Sequence, residues 1–262
     1  ENSYHVVRAA NTAVGTIIDG VTITAGYSNV VSPDTRGAGA LLESAVVEIV
    51  NCTVTTNACR SGGCGVAVWS GGSVSITDSR IVHNRPHTSG QQDGMGLYAF
   101  QTKIAMTNCE VSHNVSTSAV LSQGAGMVLW GSNVNIRECL FEDNHGYQGG
   151  ALQISAPGTT GIISKCRFIG NTATSAGGGL ITFISVPVVD CQFIGNHAQF
   201  NGGGAFRADS HKFINCLFAE NTSNSVGGGV SIQNGSPQYI NCIFTGNNAA
   251  NGGAIWGFPQ LG

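Results

Sequence analysis

The sequence predicts an all-β chain folded as a right-handed parallel β-helix, a solenoid of about nine coils with three short strands each. Three observations carry this. A Cys, Phe-like and Asn register returns every 25–31 residues or so along the chain. A glycine phrase follows each bend, Gly-Gly in the later copies and only the outer glycines in the earlier ones, Gly37 and Gly39, Gly63 and Gly65, Gly94 and Gly96, Gly124 and Gly126. Short runs rich in Val, Ile, Phe and Thr alternate with Gly, Asn and Ser, and no stretch has the period of a helix.

The register is clearest near the C-terminus. Cys242 and Phe244 precede Asn247, Cys216 and Phe218 precede Asn221, and Cys191 and Phe193 precede Asn196. Upstream come Cys166, Phe168 and Asn171, then Cys139, Phe141 and Asn144. Weaker copies are Cys109, Val111, Asn114; Ser79, Ile81, Asn84; and Cys52, Val54, Asn57. A degenerate first copy is Val21, Ile23, Gly26. The second phrase is Gly-Gly-Ala-Leu at 149–152, Gly-Gly-Gly-Leu at 177–180, Gly-Gly-Ala-Phe at 203–206, Gly-Gly-Gly-Val at 227–230 and Gly-Gly-Ala-Ile at 252–255. A third strand precedes each Cys position, as in Val74-Ser75-Ile76 and Val186-Pro187-Val188.

Three strands and three bends in this length match one β-helix turn. A propeller blade needs about 40–45 residues, and the leucine-rich pattern is absent. With strands about 4.8 Å apart, nine coils make a rod of about 40 Å. Cys and Phe stand two apart, so both point inward. Asn at the bend is expected to take left-handed backbone geometry and to bond the Asn of the next coil.

Composition narrows the classes. The chain has 262 residues, 42 % hydrophobic and only 10 % charged, with a net charge of −3. It is too apolar for disorder and has no run of about 20 apolar residues to span a membrane as a helix. Nucleic acid is not an expected partner, because Lys and Arg are scattered without a basic stripe. No leader is visible, and the chain opens in a strand-like run, Tyr4–Val7. The expectation is one β-helix domain over 1–262, with repeats at about 19–258, excised from a longer secreted polypeptide.

The paired motifs, Phe-x-x-Asn with Phe141, Phe168, Phe193, Phe218 and Phe244, and Gly-Gly-Ala-(Ile/Leu/Val) at 149–152 and 252–255 with the near match Gly-Gly-Ala-Phe at 203–206, resemble the repeat of the chlamydial polymorphic outer-membrane proteins. Large secreted β-helix proteins of other bacteria carry similar repeats, and the segment 19–26 looks like their opening strand. The resemblance implies the fold and an extracellular or bacterial cell-surface location. For function it implies display, adhesion or scaffolding. The N-terminal half departs from it, with Val or Ile in place of Phe.

Seven of the nine Cys fall in the inward column. Stacked parallel strands do not bring their sulfurs together for bonding, so a ladder of buried thiols is expected. Cys59 and Cys64 lie outside the column and flank one tight loop, which makes them the disulfide candidate.

No catalytic set emerges. Lyases and hydrolases on this fold need clustered carboxylates, and the acids are not clustered in register. No cofactor or metal is expected. His83 and His113 share a register and can stack. Arg207, Asp209 and His211 alternate and are expected to share an outward face. Asp78, Asp190, Asn51, Asn108, Asn215 and Asn241 read as bend residues.

The strand after the glycines is anomalous. With Val66, Val68, Leu97, Ala99, Met127, Leu129, Leu180 and Thr182 inward, the outward side carries Leu41, Trp69, Tyr98, Phe100, Val128, Trp130, Ile181, Phe183, Trp256 and Phe258. Strands apolar on both sides are normally covered on both. Cover by segments 27–36 or 85–93, a protein partner or second copy, and carbohydrate stacking on Trp69 and Trp130 all fit. The binding candidates are Trp69, Tyr98, Phe100, Trp130, Phe183 and Trp256. The leading reading is a non-enzymatic surface scaffold for adhesion or self-assembly. The alternatives are a polysaccharide-binding or polysaccharide-cleaving β-helix and a filament subunit.

Overall fold

The computed structural model describes residues 4–13, 15–28, 36–87, 93–117, 123–207 and 212–257. Among them every strand pairs with its counterparts one coil away, and every pairing is parallel. Three faces run the length of the stack. The first has ten strands, from Val7–Ala10 to Ile255–Gly257, and follows the glycines. The second has nine, from Thr16–Asp19 to Gln238–Ile240, and precedes the Cys position. The third has nine, from Thr22–Thr24 to Ile243–Thr245, and carries the Phe position.

The expectation of three strands per coil is incomplete. A short fourth strand follows the ladder Asn in most coils, for example Ala58–Cys59, Thr172–Ala176 and Thr222–Val226. These strands form sheets of three and five. Their Thr, Ser and Ala residues leave no alternating apolar signal to read. The second-face strand near Pro187 is also shorter than expected, Val188–Val189, because proline has no N–H for the ladder.

The interior is built of columns. Phe141, Phe168, Phe193, Phe218 and Phe244 stack face to face, with centroids 4.7–4.8 Å apart and planes within 5°. That spacing is the strand spacing itself, so the rings need no tilt to touch. Val111, Ile81, Val54 and Ile23 continue the column with no exposed side chain above 1 %. Cys52, Ser79, Cys109, Cys139, Cys166, Cys191 and Cys216 are all buried, and Cys242 is partly so. Each of the seven column cysteines is a free thiol, and the Sγ of Cys139 donates to the Arg137 carbonyl at 3.2 Å.

Asn57, Asn84, Asn114, Asn144, Asn171, Asn196, Asn221 and Asn247 form one continuous ladder. Each Oδ1 after the first accepts two bonds from the previous Asn, one from its backbone N–H and one from its Nδ2, at 2.9–3.1 Å. The left-handed residue is not the Asn. It is the residue before it, as in Thr56, His83, His113 and Asp143, with φ of 48–56°. Turning that exposed residue swings the Asn amide inward, where every donor and acceptor is used. The residues before the Cys column, Asn51, Asp78, Asn108, Asp190, Asn215 and Asn241, are likewise left-handed, with φ of 50–55°.

Arg207 corrects another expectation. It is fully buried and pairs in register with Thr182 and Ile232. Ala205 aligns with the inward Leu180, so Arg207, two residues on, points inward too. Its guanidinium carbon lies 4.9 Å from the Phe213 ring centre. Asp209 and His211 lie outside the described residues.

Candidate functional site

The outward side of the first face consists of two columns with different fates. The first holds Leu41, Ala67, Tyr98, Val128, Gln153, Ile181, Phe206, Ser231 and Trp256. Leu41, Val128 and Ile181 are at most 4 % exposed, so they are not surface. The glycine bends fold back over them. A Cβ at Gly149 would stand 2.6 Å from Ile181 Cγ2, and one at Gly124 would stand 2.8 Å from Val128 Cγ2. Both glycines also have positive φ, 58° and 34°, which a side chain would strain. Ala176 completes the cover over Ile181 and Phe206.

The second column remains at the surface. Trp69, Phe100 and Trp130 align as Cα partners on consecutive strands and are half-buried. Trp69 and Phe100 stack with centroids 4.3 Å apart and planes 15° apart. The Arg36 guanidinium carbon sits 4.3 Å from the Trp69 ring centre and also reaches Tyr98 at 5.8 Å. This is a cation–π contact. Trp69 is therefore flanked by Phe100 and Arg36, and because the stack follows the coil axis, ring edges rather than faces meet the solvent. Burial pushes the Tyr98 phenol above its ordinary range, and the charge of Asp93 adds to the shift.

The column does not continue unbroken. Ser155 follows Trp130 in register and is buried. Phe183, 37 % exposed, lies one coil beyond it. Trp256 belongs to the first column, opposite Ser231. Thus the structure brings Trp69, Tyr98 and Phe100 into ring contact, aligns Trp130 with Phe100 one coil on, and leaves Phe183 and Trp256 apart. Phe258 and most of the covering segments, 29–35 and 88–92, lie outside the described residues.

Cys59 and Cys64 are joined by a disulfide across a five-residue separation. The pair is buried with Ala38 and Met95, just before the strand that carries Trp69. His83 and His113 adjoin as an exposed pair, ring centres 4.9 Å apart, but their planes are tilted by 41° rather than stacked, and His113 Nε2 lies 3.6 Å from Asp143 Oδ2.

Several acids are engaged by cations. Glu110 accepts two bonds from Arg80 in the neighbouring strand, at 2.8 and 3.2 Å, which together hold its carboxyl below the usual range. Glu43 pairs with Arg8 and Glu138 with Lys165. Among the described residues no three His, Cys, Asp or Glu side chains group as metal ligands, and no helix is long and apolar enough to cross a membrane.

Residues 5–206 match the family described as right handed beta helix region. The chain belongs to that family. Within the right-handed β-helix family, similarity to individual proteins is distant. The metabotropic glutamate receptor-like protein P of Dictyostelium discoideum is 26 % identical over 182 residues, which is 60 % of this chain and 12 % of that protein. A solved structure of a double mutant of the periplasmic alginate epimerase AlgG matches over 84 % of this chain and 71 % of the epimerase, at 9 % identity and a TM-score of 0.29.

Sequence reasoning passed over another set of side chains. The residue after each ladder Asn also faces outward, and in several coils it is Arg85, His145 or His197, with Tyr27 in the first. The signal was present as aromatic and basic residues adjoining the Asn of several copies.

Proposed function

We propose that this chain is a non-enzymatic extracellular β-helix scaffold that adheres by lateral contact with a second copy of itself through the aromatic cluster of Trp69, Tyr98, Phe100 and Trp130. One observation carries this reading. Trp69 lies between Phe100 at 4.3 Å and the Arg36 guanidinium at 4.3 Å, so this ring is braced in place and presents an edge. Edges of braced rings suit packing against protein side chains. A sugar ring stacks on an aromatic face, and at Trp69 both faces are taken.

The absence of clustered acids in the sequence supports a non-enzymatic role, as does the pairing of Glu43, Glu110 and Glu138 with cations one coil away. The resemblance to secreted repeat proteins supports the reading of a surface location. Acrylamide quenching of tryptophan emission tests the contact. Quenching is expected to fall as the protein concentration rises from micromolar to hundreds of micromolar. Quenching independent of concentration would count against it.

A further inference from the structure

The residues that precede the ladder Asn form an outward column of their own. In three consecutive coils they are His83, His113 and Asp143, all exposed. Each takes left-handed backbone, with φ of 48–56°, and each is followed by a fully buried ladder Asn. The His83 N–H donates to the Ser112 carbonyl at 3.1 Å, and the His113 N–H to the Glu142 carbonyl at 3.0 Å. The backbone beneath both imidazoles is therefore held at the spacing of neighbouring strands. The ring centres lie 4.9 Å apart with planes tilted by 41°, and both rings border an open cleft of 450 Å³.

We infer that His83 and His113 form a two-histidine site for a borderline transition-metal dication of the zinc class. Ligand chemistry is the first argument. Neutral imidazole is a preferred donor for such ions. A tetrahedral ion with bonds of about 2.0–2.1 Å needs its two nitrogens about 3.3 Å apart. Rings centred 4.9 Å apart reach that separation by side-chain rotation alone, and their exposure leaves room for the turn. Water fills the remaining positions, for which the open cleft has space. Rigidity is the second argument. The backbone needs no rearrangement when the ion arrives, which limits the ordering cost of binding.

The surroundings add a third. Asp143 Oδ2 lies 3.6 Å from His113 Nε2. That is the place of a carboxylate that orients a metal-bound imidazole through its far nitrogen, and it leaves Nδ1 of His113 to the ion. Arg85 borders the same cleft and opposes a cation there. The nearby histidines are arranged differently. His145 and His197 follow the ladder Asn, and their Nδ1 atoms lie 2.5 and 2.9 Å from the hydroxyls of Thr172 and Thr222, their partners one coil on.

The test is titration calorimetry of the full chain with zinc chloride in a non-chelating buffer near neutral pH. One zinc ion per chain is expected. Affinity is expected to fall about a hundredfold or more in His83→Asn or His113→Asn, and about tenfold in Asp143→Asn, the scale of an orienting partner. Asn tolerates the left-handed backbone at these positions, so the variants keep the fold, which circular dichroism checks. Arg85→Gln is expected to tighten binding, and His145→Gln/His197→Gln to bind like the parent. Trp69→Ser/Trp130→Ser is also expected to bind zinc like the parent, so this result is separable from the self-association reading. Calcium, which takes oxygen ligands, is expected not to bind. No zinc binding, equal affinity in His83→Asn and His113→Asn, or calcium bound as tightly as zinc would overturn the inference. Zinc kept by both histidine variants and lost in Cys242→Ser would overturn it in favour of the partly exposed thiol.

Discussion

Asn114 donates twice to Asn144, from its backbone N–H and from its Nδ2, both to Oδ1 at 3.1 Å. Neither residue has any exposed surface. Asn144 in turn bonds the Val111 carbonyl at 2.8 Å and Asn171 at 3.0 Å. Its side chain thus satisfies buried groups on the coil before and the coil after its own. Asn144→Ala leaves two donors of Asn114 and one carbonyl unpaired, each costing about 1–3 kcal/mol. The expected loss is about 3 kcal/mol or more in urea unfolding. Asn247→Ala, at the partly exposed end of the ladder, is expected to cost clearly less. Equal costs would mean the ladder is incidental to stability.

The Phe column gives a second graded test. Phe168 is stacked on both sides, at 4.8 Å from Phe141 and 4.7 Å from Phe193. Phe168→Ala opens a cavity in a sealed interior and is expected to cost about 3–5 kcal/mol. Phe200→Ala removes an equally large ring from the exposed flank and is expected to cost under about 1 kcal/mol. Chemical denaturation of the two variants reads the difference.

The thiol ladder predicts a reactivity order. A thiol reagent is expected to count seven free thiols in denaturant without reductant and nine after reduction, because Cys59 and Cys64 are bonded. Under native conditions the partly exposed Cys242 is expected to react first, with Cys139, Cys166, Cys191 and Cys216 protected. Two native-state equivalents or more reacting at once would contradict the buried column.

Those thiols also set an alkaline limit. Burial pushes the Cys216 thiol from about 9 up to about 12. The folded chain therefore holds this proton while the unfolded chain releases it. The stability it contributes is fully present below pH 9 and is lost as pH rises towards 12, at up to about 1.4 kcal/mol per pH unit for each such thiol. Cys216→Ala is expected to flatten the slope of unfolding free energy between pH 9 and 12. An unchanged slope would show that Cys216 does not titrate on unfolding.

How much of this was legible before the structure depends on where each residue points. The inward columns could be read directly, because Cys139 and Phe141 sit two apart and recur in register, and burial admits few residue types. The left-handed positions could not be assigned by type. His113, Glu138 and Lys165 all adopt positive φ because their side chains are in solvent and the buried Asn or Cys that follows sets the bend. Arg207 was misplaced because its strand was counted one residue out of register, and a period of two turns that slip into a change of face. Leu41 and Ile181 were taken for surface because the return of the glycine bends over them is a feature of tertiary geometry with no local pattern.

The aromatic cluster has a stability signature distinct from its proposed role. Trp69→Ser removes one ring of a stacked pair and the Arg36 contact, while the inward Val68 and Leu97 remain sealed. The expected cost is about 1–3 kcal/mol, read by thermal or urea unfolding, with an unchanged β-sheet circular dichroism spectrum. Loss of the β-sheet spectrum would place Trp69 among the residues the coil needs to form.

Sedimentation velocity on the parent and on Trp69→Ser/Trp130→Ser, over a hundredfold range of concentration, tests the central claim most directly. The account predicts a parent that moves from monomer to dimer or larger as concentration rises, and a folded variant that stays monomeric throughout. A parent that remains monomeric at every concentration, or a folded variant that associates as the parent does, would contradict it.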